Sequence, residues 1–428
     1  MKRIMVFVIT VCGVLSAVFA ASIENVVVRQ QWPWSPKVNI DYRLVDPEGG
    51  AHDVKLTIKN GNTEIVTEYG SITGDQFGVE QGDHRIVWDP QFGGDHGYEN
   101  VYPNLTATVS IDDDEKLYMI VDISAGGGAG SFPVTFTNKV PSGGWNVDEY
   151  KWSKIVLRKI PAGTFVMGYT DEEISHYTNN IYTGFSNDFF MRRKVTLTKP
   201  YYIAVFPVTL RQHNLMGEAS DPGWHYGYPV SSGVTYAMLR GANADDAANW
   251  PNLQSDSILG RLNAKTASSV QSVLPGYRFD LPTHAQWECA CRAGTTTCFN
   301  NGKNWAPDGT NVSDANLDEV AWYACGGTTR YVGQKAPNGF GLYDMHGHVL
   351  EFIRDMMSSV AGRSNGVTNP ETDPLLRGNY YDRAWGCGGR ASGGAVECMS
   401  NTASLIGLID NNYNISSCVG YRLALVAD

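Results

Sequence analysis

Two carboxylates and a set of thiols are the groups in this sequence whose types and spacing could do chemistry. Asp344 and Glu351 lie in the stretch Asn338 to Phe352, NGFGLYDMHGHVLEF. Gly339, Gly341 and Gly347 give it the punctuation of a tight turn, while Phe340, Leu342, Tyr343, Met345, Val349, Leu350 and Phe352 supply more apolar surface than an exposed loop carries. A carboxylate taken out of water in such a segment needs a cation or several donors. Calcium is one answer, since it takes oxygen ligands from carboxylates and carbonyls, and a glycine-kinked loop with a carboxylate at each end can provide them. Pairing with arginine, or capping of backbone N–H groups, is the other. His346 and His348 read as satisfied turn residues rather than zinc ligands. Among thiols, Cys289, Cys291, Cys298, Cys325, Cys387, Cys398 and Cys418 all fall in the second half of the chain. Thiolates select copper(I), whereas in an exported chain pairing into disulfides is the commoner use; with Cys12, the eighth cysteine, leaving in the signal expected at residues 1–20, the remaining seven are an odd number and leave at least one thiol over. No C-x-x-C, G-x-S-x-G, P-loop or dinucleotide fingerprint is present.

The stretch resembles "N-x-F/Y-G-L-Y-D-M-x-G-N-V-W-E-W", a signature of the formylglycine-generating enzymes, also called sulfatase-modifying factors, whose domain is a variant of the C-type lectin fold. Four further stretches follow that family's order: Gly163 to Gly168 (GTFVMG), Val195 to Thr209 (VTLTKPYYIAVFPVT), Leu281 to Gly294 (LPTHAQWECACRAG) and Gly420 to Leu423 (GYRL). The resemblance implies a structural calcium held by Asp344, Gly347, Val349 and Glu351, and a second site beginning at Asn316, within Ala315-Asn316-Leu317. It also implies an oxidase that converts a sulfatase cysteine to formylglycine, using copper between two thiolates five positions apart after an R-G-G-S turn. On Cys387-Gly388-Gly389-Arg390, the second thiolate falls on Cys398 and the first on Gly393. Arg390 replaces the turn serine, Met399-Ser400-Asn401-Thr402 replaces an arginine-rich run, and His348, Leu350 and Phe352 replace Asn, Trp and Trp. One thiolate cannot form the two-coordinate site, and Cys387 or Cys418 would need another loop path to complete it.

The expectation is therefore a non-catalytic module that binds a protein or glycan. An oxidase with a rebuilt copper site, Cys398 as its catalytic thiol and a sulfatase as partner, is the alternative. A third reading rests on Ser392 to Ser417, rich in the Gly, Ser and Asn that adaptable binding surfaces favour. Its placement before GYRL is similar to that of lectin-type proteins diversified by retroelements. The expected ligand-binding surface comprises Arg390, Asn401, Asn411, Asn412, Tyr413 and Asn414.

Elements to position these residues come from the rest of the 428-residue chain, long enough for two domains. A net charge of −11 argues against nucleic acid or an anionic membrane surface as partner. Residues 1–20 read as a secretory signal: Lys2 and Arg3, an apolar run, then Ala20 and Ala21. That run is too short for a membrane span, and no other long apolar stretch follows, so export to the periplasm, cell surface or exterior is expected. Residues 21–123 carry seven alternating runs with turn residues between them, the last being Leu117 to Ile123, and predict an all-β immunoglobulin-like sandwich. Trp32 and Trp34 are expected in its core or in an interdomain contact. Residues 124–149 read as a glycine-rich linker with a short strand at Phe132 to Thr137. Residues 150–428 form the loop-rich formylglycine-generating-enzyme-like domain, and the whole is α+β. Within it, strands are expected at Ile155 to Ile160 and Val195 to Val205. Capping-box patterns at Thr209 with Gln212 and at Thr283 with Gln286 predict helix starts, the second helix running over His284 to Arg292 and stopping near Gly294.

Overall fold

A computed structural model describes residues 21–31, 33–65, 67, 71–90, 102–112, 114–141, 143–170, 172–173, 192–217, 226–241, 253–356, 371–375, 383–401, 403–407 and 418–427. The protein is mostly β with few helices. The expected signal at 1–20 lies outside these residues. No helix among them is long and apolar enough to cross a membrane.

At the N-terminal end, alternation builds two antiparallel sheets. One runs in the order β1 (Ser22–Gln30), β2 (Val38–Val45), β6 (Gly82–Trp88), β5 (Ile72–Gly74); the other β4 (Thr63–Ile65), β3 (Val54–Asn60), β7 (Leu105–Ile111). Val38, Ile40, Tyr42 and Leu44 of β2 point to one side and are buried with Val54, Ile58, Ile86, Trp88 and Val109 in a core shared by both sheets. Trp34 takes no part in it. Its side chain is 87% exposed, and Trp32 lies outside the described residues.

The seventh expected strand goes elsewhere. β8 (Tyr118–Asp122) pairs antiparallel with β10 (Lys154–Ile160), and β9 (Val134–Thr137) pairs with β8. The stretch taken as sandwich end and linker is thus the edge of a six-stranded sheet, ordered β14 (Tyr277–Asp280), β22 (Ala424–Ala427), β13 (Tyr201–Ala204), β10, β8, β9. The reason is burial on both faces. Tyr118 packs into one core while Met119 and Val121 pack into another, as a strand covered on two sides must do.

Helices supply those covers. Ile258–Val273 presents Leu259, Leu262 and Val270 to one face, and His284–Arg292 presents Ala285, Trp287 and Ala290 to the other. Both capping boxes form, at Thr209 and at Thr283, and the second helix ends on a left-handed Ala293 before Gly294. The 16-residue helix Ile258–Val273 has no counterpart in the sequence expectation. Val195 to Val205 divides into β12 (Arg193–Leu197) and β13 in different sheets, because Pro200 interrupts the run.

The remaining strands carry the signature stretch. β16 (His346–Gly347) pairs with β15 (Ala321–Trp322), and β17 (Leu350–Met356) sits in a sheet ordered β20 (Ala403–Gly407), β19 (Arg383–Cys387), β17, β21 (Val419–Tyr421). Between the N-terminal sheets and this part, Arg158 of β10 forms a buried ion pair with Asp53, and Phe77 packs on Phe340 with ring centroids 4.6 Å apart.

Candidate functional site

The signature stretch folds as the sequence demands, on positive backbone angles. Asp344 (φ 56°), Gly347 (φ 67°) and His348 (φ 66°) turn the chain so that β17 can begin at Leu350. A Cβ at Gly347 would sit 2.3 Å from the Trp322 carbonyl oxygen, so only glycine fits.

Glu351 and Arg422 form the centre. Both are essentially inaccessible, at 1% and 0% exposure. The guanidinium donates from Nε and Nη2 to the carboxylate at 2.9–3.1 Å, and Trp287 Nε1 donates to Glu351 Oε2 at 2.7 Å. Its other protons go to the carbonyls of Ala204 (2.9 Å), Val205 (3.0 Å) and Tyr343 (2.8 Å). The last charged residue of GYRL therefore ties the signature stretch to β13 and, through Trp287, to the helix of the LPTHAQW stretch.

This bears directly on calcium. Both Glu351 oxygens are engaged by arginine and indole, and Asp344 Oδ2 accepts the Gly333 N–H at 2.7 Å. Asp344 Oδ1 has no hydrogen-bond partner, with His348 Nδ1 at 3.6 Å. Asn316 donates its amide to the Asn304 carbonyl at 2.9 Å, and its own carbonyl accepts from Asn301 at 2.8 Å. Of the set Asp344, Gly347, Val349 and Glu351, the Glu351 carboxylate is already neutralised by Arg422, whereas the Asp344 carboxylate is not. With Glu351 so engaged, a chelator is expected to leave the thermal unfolding midpoint of the full chain unchanged; a drop of several degrees on adding EDTA, restored by calcium, would contradict this.

The two histidines are structural links. His346 Nδ1–H donates to the Cys398 carbonyl at 2.6 Å while its Nε2 accepts the Asn300 N–H at 3.1 Å, an arrangement that requires the neutral ring. Burial agrees, pushing its pKa down to about 4. His348 Nε2 lies 3.0 Å from the Arg330 backbone. Among the described residues no three His, Cys, Asp or Glu side chains come together as a metal cluster.

The thiol turn is equally closed. Cys398 ends a 3₁₀ turn, Ala395–Cys398, and is fully buried. Burial, with Glu397 and Cys325 acting in the same direction, pushes its thiol up and away from the thiolate that copper(I) binds. Among the described residues no two cysteines are joined in a disulfide. Cys387 is buried on β19 opposite Glu351, and Cys418 contacts the Gly327 carbonyl oxygen at 3.2 Å. Cys325 lies beside the vacant family position: Ala324 donates its N–H to Gly393 O and Cys325 to Ala391 O, both at 2.7 Å. No local spacing in the sequence could have shown this, since the two segments meet only through the fold. At the two positions where the family places its thiolates, this chain has Gly393 and Cys398.

Of the expected binding surface, Arg390 is partly exposed and its Nε is 3.2 Å from Glu397 Oε2. Asn401 is a correction: it is 1% exposed, and its amide makes no hydrogen bond among the described residues. Burial of the segment after Cys398 draws it inward. Asn411, Asn412, Tyr413 and Asn414 lie outside the described residues.

A family model described as the sulfatase-modifying factor enzyme 1-like domain matches residues 151–424, more than half of the chain. The chain is 27% identical over 202 residues to a chaperone protein, LppX, of Paenibacillus barcinonensis, covering 39% of this chain and 66% of that one. It is 36% identical over 80 residues to the formylglycine-generating enzyme of Mycobacterium tuberculosis, covering 17% and 25%. The chain thus spans just under two thirds of one curated relative and a quarter of the other. Among solved structures, Treponema denticola variable protein 1 gives a TM-score of 0.43 at 20% identity, over 63% of this chain and 95% of that one. PvdO from Pseudomonas aeruginosa gives 0.41 at 20% identity, over 63% and 94%.

Proposed function

Because the chain belongs to the sulfatase-modifying factor enzyme 1-like domain family, we propose that it is a member acting as a ligand- or partner-binding module without oxidase activity. The observation that carries this is Gly393 where the family's first thiolate belongs, beside a Cys398 buried as a thiol. Export is part of the proposal and rests on the signal-like residues 1–20. So is an immunoglobulin-type N-terminal unit, supported by two antiparallel sheets that share one core. Such a unit would space or dock the binding module.

The test is a peptide bearing the sulfatase C-x-P-x-R motif, incubated with the full chain, copper and oxygen, and followed by mass spectrometry. The peptide cysteine is expected to remain unmodified. Conversion to an aldehyde that is lost in Cys398→Ala would overturn the reading. It would favour the second one, an oxidase with a rebuilt site, for which the approach of Cys325 to the Ala391–Gly393 turn is the supporting observation. In that case Cys325→Ala should abolish turnover as fully as Cys398→Ala.

A further inference from the structure

A cleft of about 540 Å³ lies where the N-terminal sheets meet the C-terminal part. One wall is β5 with Gln76 and Phe77; the other is the segment after the helix His284–Arg292, together with Pro337 to Gly339. The buried Arg158–Asp53 pair and the Phe77–Phe340 contact hold these walls together. The volume falls within the roughly 300–1,000 Å³ of small-molecule sites.

Its lining has a definite chemistry. No lining residue carries a charge. Asn300 is 5% exposed, with its backbone N–H held by His346, and its side-chain Oδ1 is buried without a hydrogen-bond partner. A buried acceptor left unmade costs free energy that a ligand donor recovers. Thr295 and Thr297 donate their hydroxyls to the carbonyls of Arg292 (2.8 Å) and Phe299 (2.7 Å), which leaves their oxygens able to accept. The amides of Asn301 and Asn338 are already spent on Asn316, Glu319, Ala290 and Cys291. At Gly302, with φ 77°, a Cβ would meet nothing within 4 Å, so the backbone there lies open. Phe77 adds an aromatic surface against which apolar C–H groups can pack.

Hydroxyl-rich, uncharged and partly apolar ligands satisfy all of these features at once. We propose that the cleft binds a neutral carbohydrate, with a sugar hydroxyl donating to Asn300 Oδ1. Anionic ligands would find no cation in the lining, and cations no carboxylate. The site shares no residue with the thiol turn, so it stands whichever reading of that turn holds.

Saturation-transfer NMR on the full chain tests this with maltotriose and chitotriose as neutral probes, sialyllactose as the anionic one, and a neutral Gly-Ser-Asn-Gly peptide. At least one neutral trisaccharide should give saturation transfer, and its affinity should fall about tenfold or more in Asn300→Leu, which removes the acceptor. Thr296→Trp, at an exposed rim position, should block the same probe while leaving the unfolding midpoint unchanged, so the result does not hang on the folding of the Asn300 variant. The proposal is overturned if neither neutral sugar binds, if Thr296→Trp leaves binding intact, or if only sialyllactose or the peptide gives a signal.

Discussion

Replacing Arg422 with methionine is expected to cost the chain about 3–5 kcal/mol, the usual penalty for leaving one member of a buried ion pair without its partner. Glu351 would be left at 1% exposure with only the Trp287 indole to answer it. The carbonyls of Ala204, Val205 and Tyr343 would lose their donors at the same time. Set against a typical stability of about 5–15 kcal/mol, this is a large share. Adding Glu351→Gln should recover part of the loss, because the orphaned carboxyl is then gone and only hydrogen bonds are missing. Urea unfolding of the two single variants and the double variant measures the coupling. Costs that simply add would mean that the carboxylate and guanidinium do not depend on one another.

The second large effect depends on pH. Glu173 is fully buried, accepts the Thr170 N–H at 2.6 Å, and has Arg292 Nη2 at 3.9 Å. Burial raises its pKa from 4.5 to about 7; Arg292 and the Thr170 contacts oppose this, and Glu288 adds to it. Arg292 is itself held by Glu288 at 2.8 Å, with His284 Nε2 3.8 Å from the other Glu288 oxygen. The folded state therefore binds this proton more tightly than the unfolded chain does. Its stabilising contribution is complete below about pH 4.5 and is lost as pH rises to about 7. At roughly 1.4 kcal/mol per pKa unit the loss is on the order of 3 kcal/mol. Glu173→Gln should then be more stable than the parent at pH 8, with the gap closing as pH falls toward 4.5. A gap that stays constant across that range, in unfolding curves taken at each pH, would show that the carboxyl does not titrate there.

Local signals in the sequence carried much of this fold. Thr209 with Gln212 and Thr283 with Gln286 form the capping boxes their spacing predicts, since a cap is a contact between near neighbours. The helix Ile258–Val273 was also within reach: Ser257 caps it, and Ile258, Leu259, Leu262, Thr266 and Val270 recur at helical spacing. The spacing marks the strand 118–122 but not its partner, which is β10. Alternation marks a strand, whereas its partner is chosen by which faces are covered, and that is a property of the assembled layers. The candidate site was legible by residue and not by pairing. Glu351 asked for a counter-charge that Arg422 supplies from the end of the chain, and Asn300, whose N–H is held by His346, lines the cleft.

The pairing of β8 with β10 has a practical corollary for recombinant work. Homology alone would start a shortened protein at residue 151, where the family match opens. Such a fragment would keep β10 but lose β8 and β9, uncovering a row of backbone donors and acceptors along a central strand and stripping Tyr118, Met119 and Val121 from two cores. An exposed, flat, apolar edge is a template for aggregation. A cut placed between β7 and β8, near Asp114, keeps the β8–β10 pairing but still removes Asp53 from Arg158 and Phe77 from Phe340. The useful unit is thus longer than the one sequence similarity outlines.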